Sequence, residues 1–253
     1  MTTMRAIVLD APGPPDTLTL RDVPKPEPRQ GWVLLRVEAF GLNRSELHTR
    51  LGLAGPDVTF PRVLGIEATG VIEAAPGTDL PIGSKAVAMV GGMGRSFDGG
   101  YAEYTLVPAG CVIPVQTELD WARLGALPEV LQTAWGSLTV GIRLSRGETL
   151  LVRGGTSSVG MMAAILAKRM GATVLATTRQ PERADVLRAI GVDHVLVDDG
   201  HIAEAVRTVA PDGVDGALEL VGAPTLRDTL RACRVGGTTC FTGMLSNKWI
   251  VEQ

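Results

Sequence analysis

The sequence predicts an α/β plus β chain, in which a β-rich N-terminal domain precedes a doubly wound parallel sheet. Three observations predict it. Of the 47 Gly and Pro residues, 28 fall in the first 125 positions, where they separate short β-rich runs. From about Gly147 the pattern changes to strands alternating with helices, the sequence form of βαβ units. Between Leu150 and Gly160 an apolar strand passes through a glycine-rich turn into a helix, the passage a parallel nucleotide-binding sheet requires.

In the first part, residues 5–9, 32–39, 70–74, 85–90 and 102–107 read as strands. They are bounded by Pro12-Gly13-Pro14-Pro15, Pro24-Lys25-Pro26, Pro76-Gly77 and Gly91-Gly92. Short strands at this spacing suggest a small barrel-like β-domain. In the second part the strands are 150–153, 173–176, 194–197, 216–220 and 238–241. The helix after the first strand runs through Met162, Ile165, Leu166 and Met170 and stops at Gly171. The next has Pro181 in its first turn, Val186, Leu187 and Ile190 on one face, and Gly191 as terminator. Helices over 203–209 and 226–233 complete the alternation. The division falls at 1–124 and 125–253.

Composition narrows the function. A formal charge of −3 argues against a nucleic-acid scavenger or a polybasic membrane binder, both of which need a concentrated positive field. The apolar run 159–167 is stopped by Lys168, well short of the ~18 residues a membrane span needs. No charged head with an apolar signal core follows Met1, so the expectation is a soluble cytoplasmic protein. Cys111, Cys233 and Cys240 are odd in number and lack C-x-x-C spacing, which argues against disulfides and a thiolate zinc site.

In Gly154-Gly155-Thr156-Ser157-Ser158-Val159-Gly160, the residues Gly155, Ser157 and Gly160 occupy the spaced positions of G-x-G-x-x-G. Small residues there let the backbone approach a pyrophosphate at a helix N-terminus. Ser157 replaces the middle glycine, and its hydroxyl can donate to phosphate or cap the helix. An acidic residue at the end of the second strand would hold the 2′-hydroxyl of NAD. This chain instead reads Thr177-Thr178-Arg179, with Arg183 one turn on, a set that suits a 2′-phosphate and points to NADPH.

With these motifs in hand, the chain resembles the medium-chain dehydrogenase/reductase superfamily, in its zinc-independent quinone oxidoreductase branch. The signs are Gly41-Leu42-Asn43-Arg44-Ser45-Glu46, the run from Pro61 to Gly70, Phe97-Asp98-Gly99-Gly100-Tyr101-Ala102-Glu103-Tyr104, Leu127-Pro128 with Thr133-Ala134, and the Gly154 to Gly160 turn. The resemblance implies a GroES-like catalytic domain followed by a Rossmann domain that binds NADPH, with the active site in the cleft between them. Val221 and Gly243, after the fourth and fifth strands, join the cofactor set by the same resemblance. Where the zinc enzymes of this superfamily place Cys, His and a third ligand, this chain resembles them with Asn43, Ile66 and a position near Glu129. Those residues cannot make the N/S-rich site zinc prefers, so no metal is expected. Glu67 is expected to be structural, pairing with an Arg such as Arg44. In the quinone reductase branch the position of Asn43 faces the nicotinamide and Thr133 lies near its carboxamide. His48 stands where that branch often has Tyr, and Ser45 resembles the relay hydroxyl of the alcohol dehydrogenases. Ser45 and His48 on one helical turn could deliver a proton to the reduced substrate.

Without zinc to polarise a carbonyl, a simple ketone is a poor substrate and a conjugated acceptor an easier one. The expected activity is hydride transfer from NADPH to a small electrophilic acceptor, a quinone or α,β-unsaturated carbonyl. An enoyl-thioester reductase and a non-catalytic NADPH-binding protein remain alternatives. The fifth strand of the nucleotide sheet is reached near Gly243, so a sixth strand and the family's return to the catalytic domain are expected to be missing. Relatives commonly pair through the last strand of that sheet, which makes a homodimer one expected assembly.

Overall fold

The computed structural model describes every residue except Met1, Asp57, Asn247, Trp249, Glu252 and Gln253. It divides into two compact units, Met1–Glu129 and Val130–Gln253.

Unit 1 contains strands β1 (Thr3–Leu9), β2 (Leu18–Pro24) and β3 (Trp32–Ala39), helix α1 (Arg44–Arg50), strands β4 (Arg62–Val63), β5 (Glu67–Ala74), β6 (Lys85–Met89), β7 (Tyr104–Pro108) and β8 (Val112–Pro114), and helix α2 (Trp121–Gly125). They form a three-stranded sheet, β2-β1-β4, and a five-stranded antiparallel sheet, β7-β3-β5-β6-β8. An isolated Ala6–Ala102 bridge joins β1 to the segment before β7. Alternation sets the faces: Met4, Ala6 and Val8 of β1 turn inward, and Val33 and Leu35 of β3 pack with Ala68, Ile72, Ala86 and Ala88. β2 is an edge strand that pairs with β1 over its whole length yet is largely exposed, and Arg21 makes two bonds to Asp10. Its charged run Arg21-Asp22 hides a strand from any reading by apolar alternation.

In the second half, helix α3 (Pro128–Gly136) runs straight into a π-helical turn (Ser137–Ile142). Then follow β9 (Thr149–Arg153), α4 (Ser158–Met170), β10 (Thr173–Thr178), α5 (Ala184–Ala189), β11 (His194–Val197), α6 (Ala203–Val209), β12 (Val214–Glu219), α7 (Ala223–Ala232) and β13 (Cys233–Phe241). The strands are parallel in the order β11-β10-β9-β12-β13. In chain order this is third, second, first, fourth, fifth, the doubly wound arrangement that the alternation predicts. Both faces are covered. Leu150, Val152, Val174, Ala176 and Leu218 pack under α4 and α5, while Leu151, Leu175 and Ala217 pack toward α6 and α7. The central strands therefore read as continuous apolar runs, and their carboxyl ends carry the turns that matter for ligands.

Candidate functional site

The turn after β9 is built by packing before any ligand is considered. Gly155 lies against β10: its N–H donates to Thr177 O at 3.0 Å, and a Cβ there would sit 2.8 Å from Ala176 Cβ. At Gly160 a Cβ would come within 2.5 Å of Gly154 O, so α4 can approach the turn only with glycine at this position. Gly154 has φ +87°, the left-handed region that glycine enters without cost. Ser157 is the N-cap of α4. Its hydroxyl donates to Gly154 O at 2.8 Å and accepts from Gly160 N at 3.1 Å. Of the two roles open to that hydroxyl, the one seen is capping. The Ser158 and Val159 N–H groups, in the first turn, have no acceptor within the helix, and they lie at its positive end. Thr156 is half-buried and Ser158 exposed.

Thr178, at the end of β10, is buried, and its hydroxyl bonds to Gln180 on both the carbonyl and the N–H side. It shapes the turn that carries Arg179. Arg179 and Arg183 are both exposed and make no ion pair among the described residues. After β12, Glu219 is fully buried. It accepts from the N–H groups of Val221 (2.7 Å) and Gly222 (3.0 Å) and from Thr229 Oγ1 (2.5 Å). Gly243 follows β13, and a Cβ on it would lie 2.5 Å from Leu220 O, so close packing accounts for the glycine. Ser137, in the π-helical turn, donates to Thr133 O at 2.7 Å and lies 2.9 Å from Thr242 Oγ1. Thr133 and the segment holding Gly243 are thereby joined through one hydroxyl.

Beneath the glycine turn lies a feature that the sequence reading missed. Arg153, the last residue of β9, is fully buried. Its Nε and Nη2 grip both Asp198 oxygens at 2.9 Å, and Nη1 reaches Asp228 Oδ2 (2.8 Å), Thr225 O and Thr229 Oγ1 (3.0 Å each). Asp198 also accepts from Thr177 Oγ1, which itself accepts from Gly154 N–H. The chain of bonds thus returns to the turn it started from. Burial works against the Arg153 charge, but Asp198, Glu219 and Asp228 outweigh it and hold the guanidinium pKa above its ordinary value. Burial likewise opposes the Asp198 carboxylate, and Arg153 overcomes this and keeps it below the usual range. The signal in sequence was an arginine inside an apolar strand, which is costly unless acids meet it.

In unit 1, Asn43 caps α1, with Ser45 and His48 on the helix itself, three residues apart. Glu46 is buried and accepts from the N–H groups of Asn43 and Ile66, each at 2.9 Å. The Glu67 carboxylate accepts from Asn43 Nδ2 at 2.8 Å and from Glu129 N–H at 2.9 Å. These two bonds hold the Glu67 carboxylate between α1 and the start of α3. Burial raises both carboxyl pKa values, and the donors only partly offset it. Ser45 Oγ accepts from Arg95 Nη2 at 2.7 Å. This donor set does not fit zinc: the Asn43 amide nitrogen is turned onto Glu67, Ile66 is aliphatic, and the Glu67 oxygens already face N–H donors. The residues of unit 2 do fit a dinucleotide phosphate, with a bare helix N-terminus and two unpaired guanidinium groups beyond β10.

Comparison with known proteins follows the same lines. Residues 29–117 match the alcohol dehydrogenase GroES-like domain, and residues 158–251 match the zinc-binding dehydrogenase family. The chain is 31% identical over 240 residues to prostaglandin reductase-3 of Bos taurus, covering 91% of this chain and 60% of that one. It is 28% identical over 247 residues to quinone oxidoreductase of Homo sapiens, covering 95% and 73%. Among solved structures, mycobacterial Rv1454c complexed with NADPH superposes with a TM-score of 0.87 at 29% identity, over 96% of this chain and 74% of that one. The chain thus spans between about three fifths and three quarters of the length of these relatives. No helix among the described residues is long and apolar enough to cross a membrane.

Proposed function

The chain belongs to the medium-chain dehydrogenase/reductase superfamily, in its quinone-oxidoreductase-like branch, and from that premise we propose that it binds NADPH and reduces a quinone or an α,β-unsaturated carbonyl. The observation that carries this reading is the turn from Gly154 to Gly160 at the head of α4, with Arg179 and Arg183 unpaired just past β10. NADPH, when bound, supplies the hydride. The Ser158 and Val159 N–H groups would donate to the pyrophosphate at the positive end of α4, and Thr156 would line the turn. Arg179 and Arg183 would hold the 2′-phosphate. Val221, Gly243 and Thr133 would border the nicotinamide end, where the Ser137 hydroxyl ties Thr133 to Thr242, the neighbour of Gly243.

Unit 1 supplies the groups that act on the acceptor. Asn43 presents its amide while Glu67 orients it, and Ser45 and His48 deliver the proton. With NADPH bound, its hydride would add to the conjugated carbon to give an enolate and leave NADP⁺, and one proton from Ser45 and His48, or from water, would complete the reduction. No zinc enters, because the donor set at Asn43, Ile66 and Glu67 does not suit it. The test is binding of NADPH and NADH to the wild type and to Arg179→Ala. Loss confined largely to NADPH is the expected result, and an equal loss for both cofactors removes the 2′-phosphate assignment.

A further inference from the structure

Unit 1 holds a cation that this mechanism leaves unused. Arg95 lies between β6 and β7, half-buried, with Nη2 on Ser45 Oγ at 2.7 Å. Its Nε is buried without a hydrogen-bond partner, and it makes no ion pair among the described residues. The acids of this region are engaged elsewhere. Asp98, in the same segment, accepts from Arg62 Nη1 and Val63 N–H, each at 3.0 Å. Glu46 and Glu67 accept the donors described above.

The segment is also held in place. Val90 N–H donates to Ile66 O (2.7 Å), Gly99 N–H to Val63 O (2.9 Å) and Gly100 N–H to Gly65 O (3.1 Å). Met93 is buried in the core, and the Phe97 ring meets Trp32 edge-on at 5.2 Å. Val90 and Gly94 have φ +49° and +69°, and a Cβ on Gly94 would lie 2.8 Å from Gly65 N. Arg95 is thus aimed at α1 by a packed turn. A half-buried guanidinium with an orphan N–H and no counter-ion gains from an anion that completes it.

We infer that Arg95 is the anion-binding residue of the acceptor site, and that the acceptor carries a carboxylate. The inference rests on the reductase reading above. A permanent anion suits better than the enolate alone, because the Arg95 charge is uncompensated before any reaction starts. The planar guanidinium matches a carboxylate.

The experiment compares kcat/KM for (E)-4-oxopent-2-enoate and for its methyl ester, at saturating NADPH, in the wild type, Arg95→Gln and Arg95→Lys. The wild type is expected to prefer the carboxylate by about tenfold or more, the scale of a charged hydrogen bond. Arg95→Gln loses most of that preference through KM, Arg95→Lys keeps part of it, and NADPH affinity stays within about twofold in both. Turnover of the ester shows that each variant is folded. Equal use of acid and ester by the wild type, a preference that survives in Arg95→Gln, or reduction of a quinone with neither enone accepted overturns the role of Arg95 and leaves the reductase reading intact. NADPH binding with no acceptor reduced at all overturns both.

Discussion

Ser157 shows how one side chain can satisfy a motif for a reason the motif does not state. Its hydroxyl is committed on both sides to the helix start, so Ser157→Ala is expected to cost about 1 kcal/mol of stability, and Ser157→Gly a few tenths, by chemical denaturation. Arg179 is the contrasting case, exposed and unpaired, where Ala should leave stability within about 0.5 kcal/mol and weaken NADPH by about tenfold or more relative to NADH, by titration calorimetry. For His48→Gln, proton delivery predicts a lower kcat whose dependence on pH differs from the wild type; an unchanged profile would remove the role. At this scale the glycines were readable in sequence because backbone proximity forbids a Cβ. Thr178 was not, since nothing in its neighbours says that its hydroxyl turns back onto Gln180 instead of outward.

At the scale of elements, the chain of bonds from Arg153 through Asp198 and Thr177 to Gly154 ties the end of β9 to β10 and to the loop after β11. Asp228 carries the same arginine to α7 and to the start of α6. Replacing Arg153 with Met leaves half-buried Asp198 and Asp228 and buried Glu219 without their counter-charge, and the expected loss is about 3–5 kcal/mol. Adding Asp198→Asn should recover part of it, and full additivity of the two losses in denaturant melts would show that the residues act separately. The parallel strands and their helices were legible because burial on both faces leaves continuous apolar runs bounded by Gly and Pro. What was not legible follows the same logic in reverse. The exposed edge strand β2 has no apolar stripe, the two-residue β4 is too short to show one, and a buried arginine looks like a break in the pattern until the fold brings its acids to it.

For the molecule as a whole, the two units should answer pH in opposite senses. In unit 1 the Glu46 and Glu67 carboxyls are raised by burial, so the stability they contribute is full below about pH 4.3 and is lost as pH climbs through their folded values. Asp198 in unit 2 is held down by Arg153, so its contribution is present above about pH 4 and is lost on acidification through its depressed value. Hydrogen exchange corrected for intrinsic rates is therefore expected to show β5 and α1 gaining protection relative to β9 and α4 as pH falls from neutrality toward about 4.3; a uniform response would contradict the assignment. The β-rich first part and the strand–helix alternation of the second are legible in the sequence, whereas the Arg95 contact to Ser45 depends on a turn whose course no local pattern specifies. The claim on which everything else depends is that the chain transfers hydride and does more than hold the cofactor. NADPH deuterated at the transferring C4 position, incubated with the full chain and (E)-4-oxopent-2-enoate, tests it most directly. Deuterium on the product carbon and a slowed turnover are expected; tight cofactor binding with no deuterium passed to this acceptor, to a quinone or to an enoyl thioester would contradict hydride transfer by this chain.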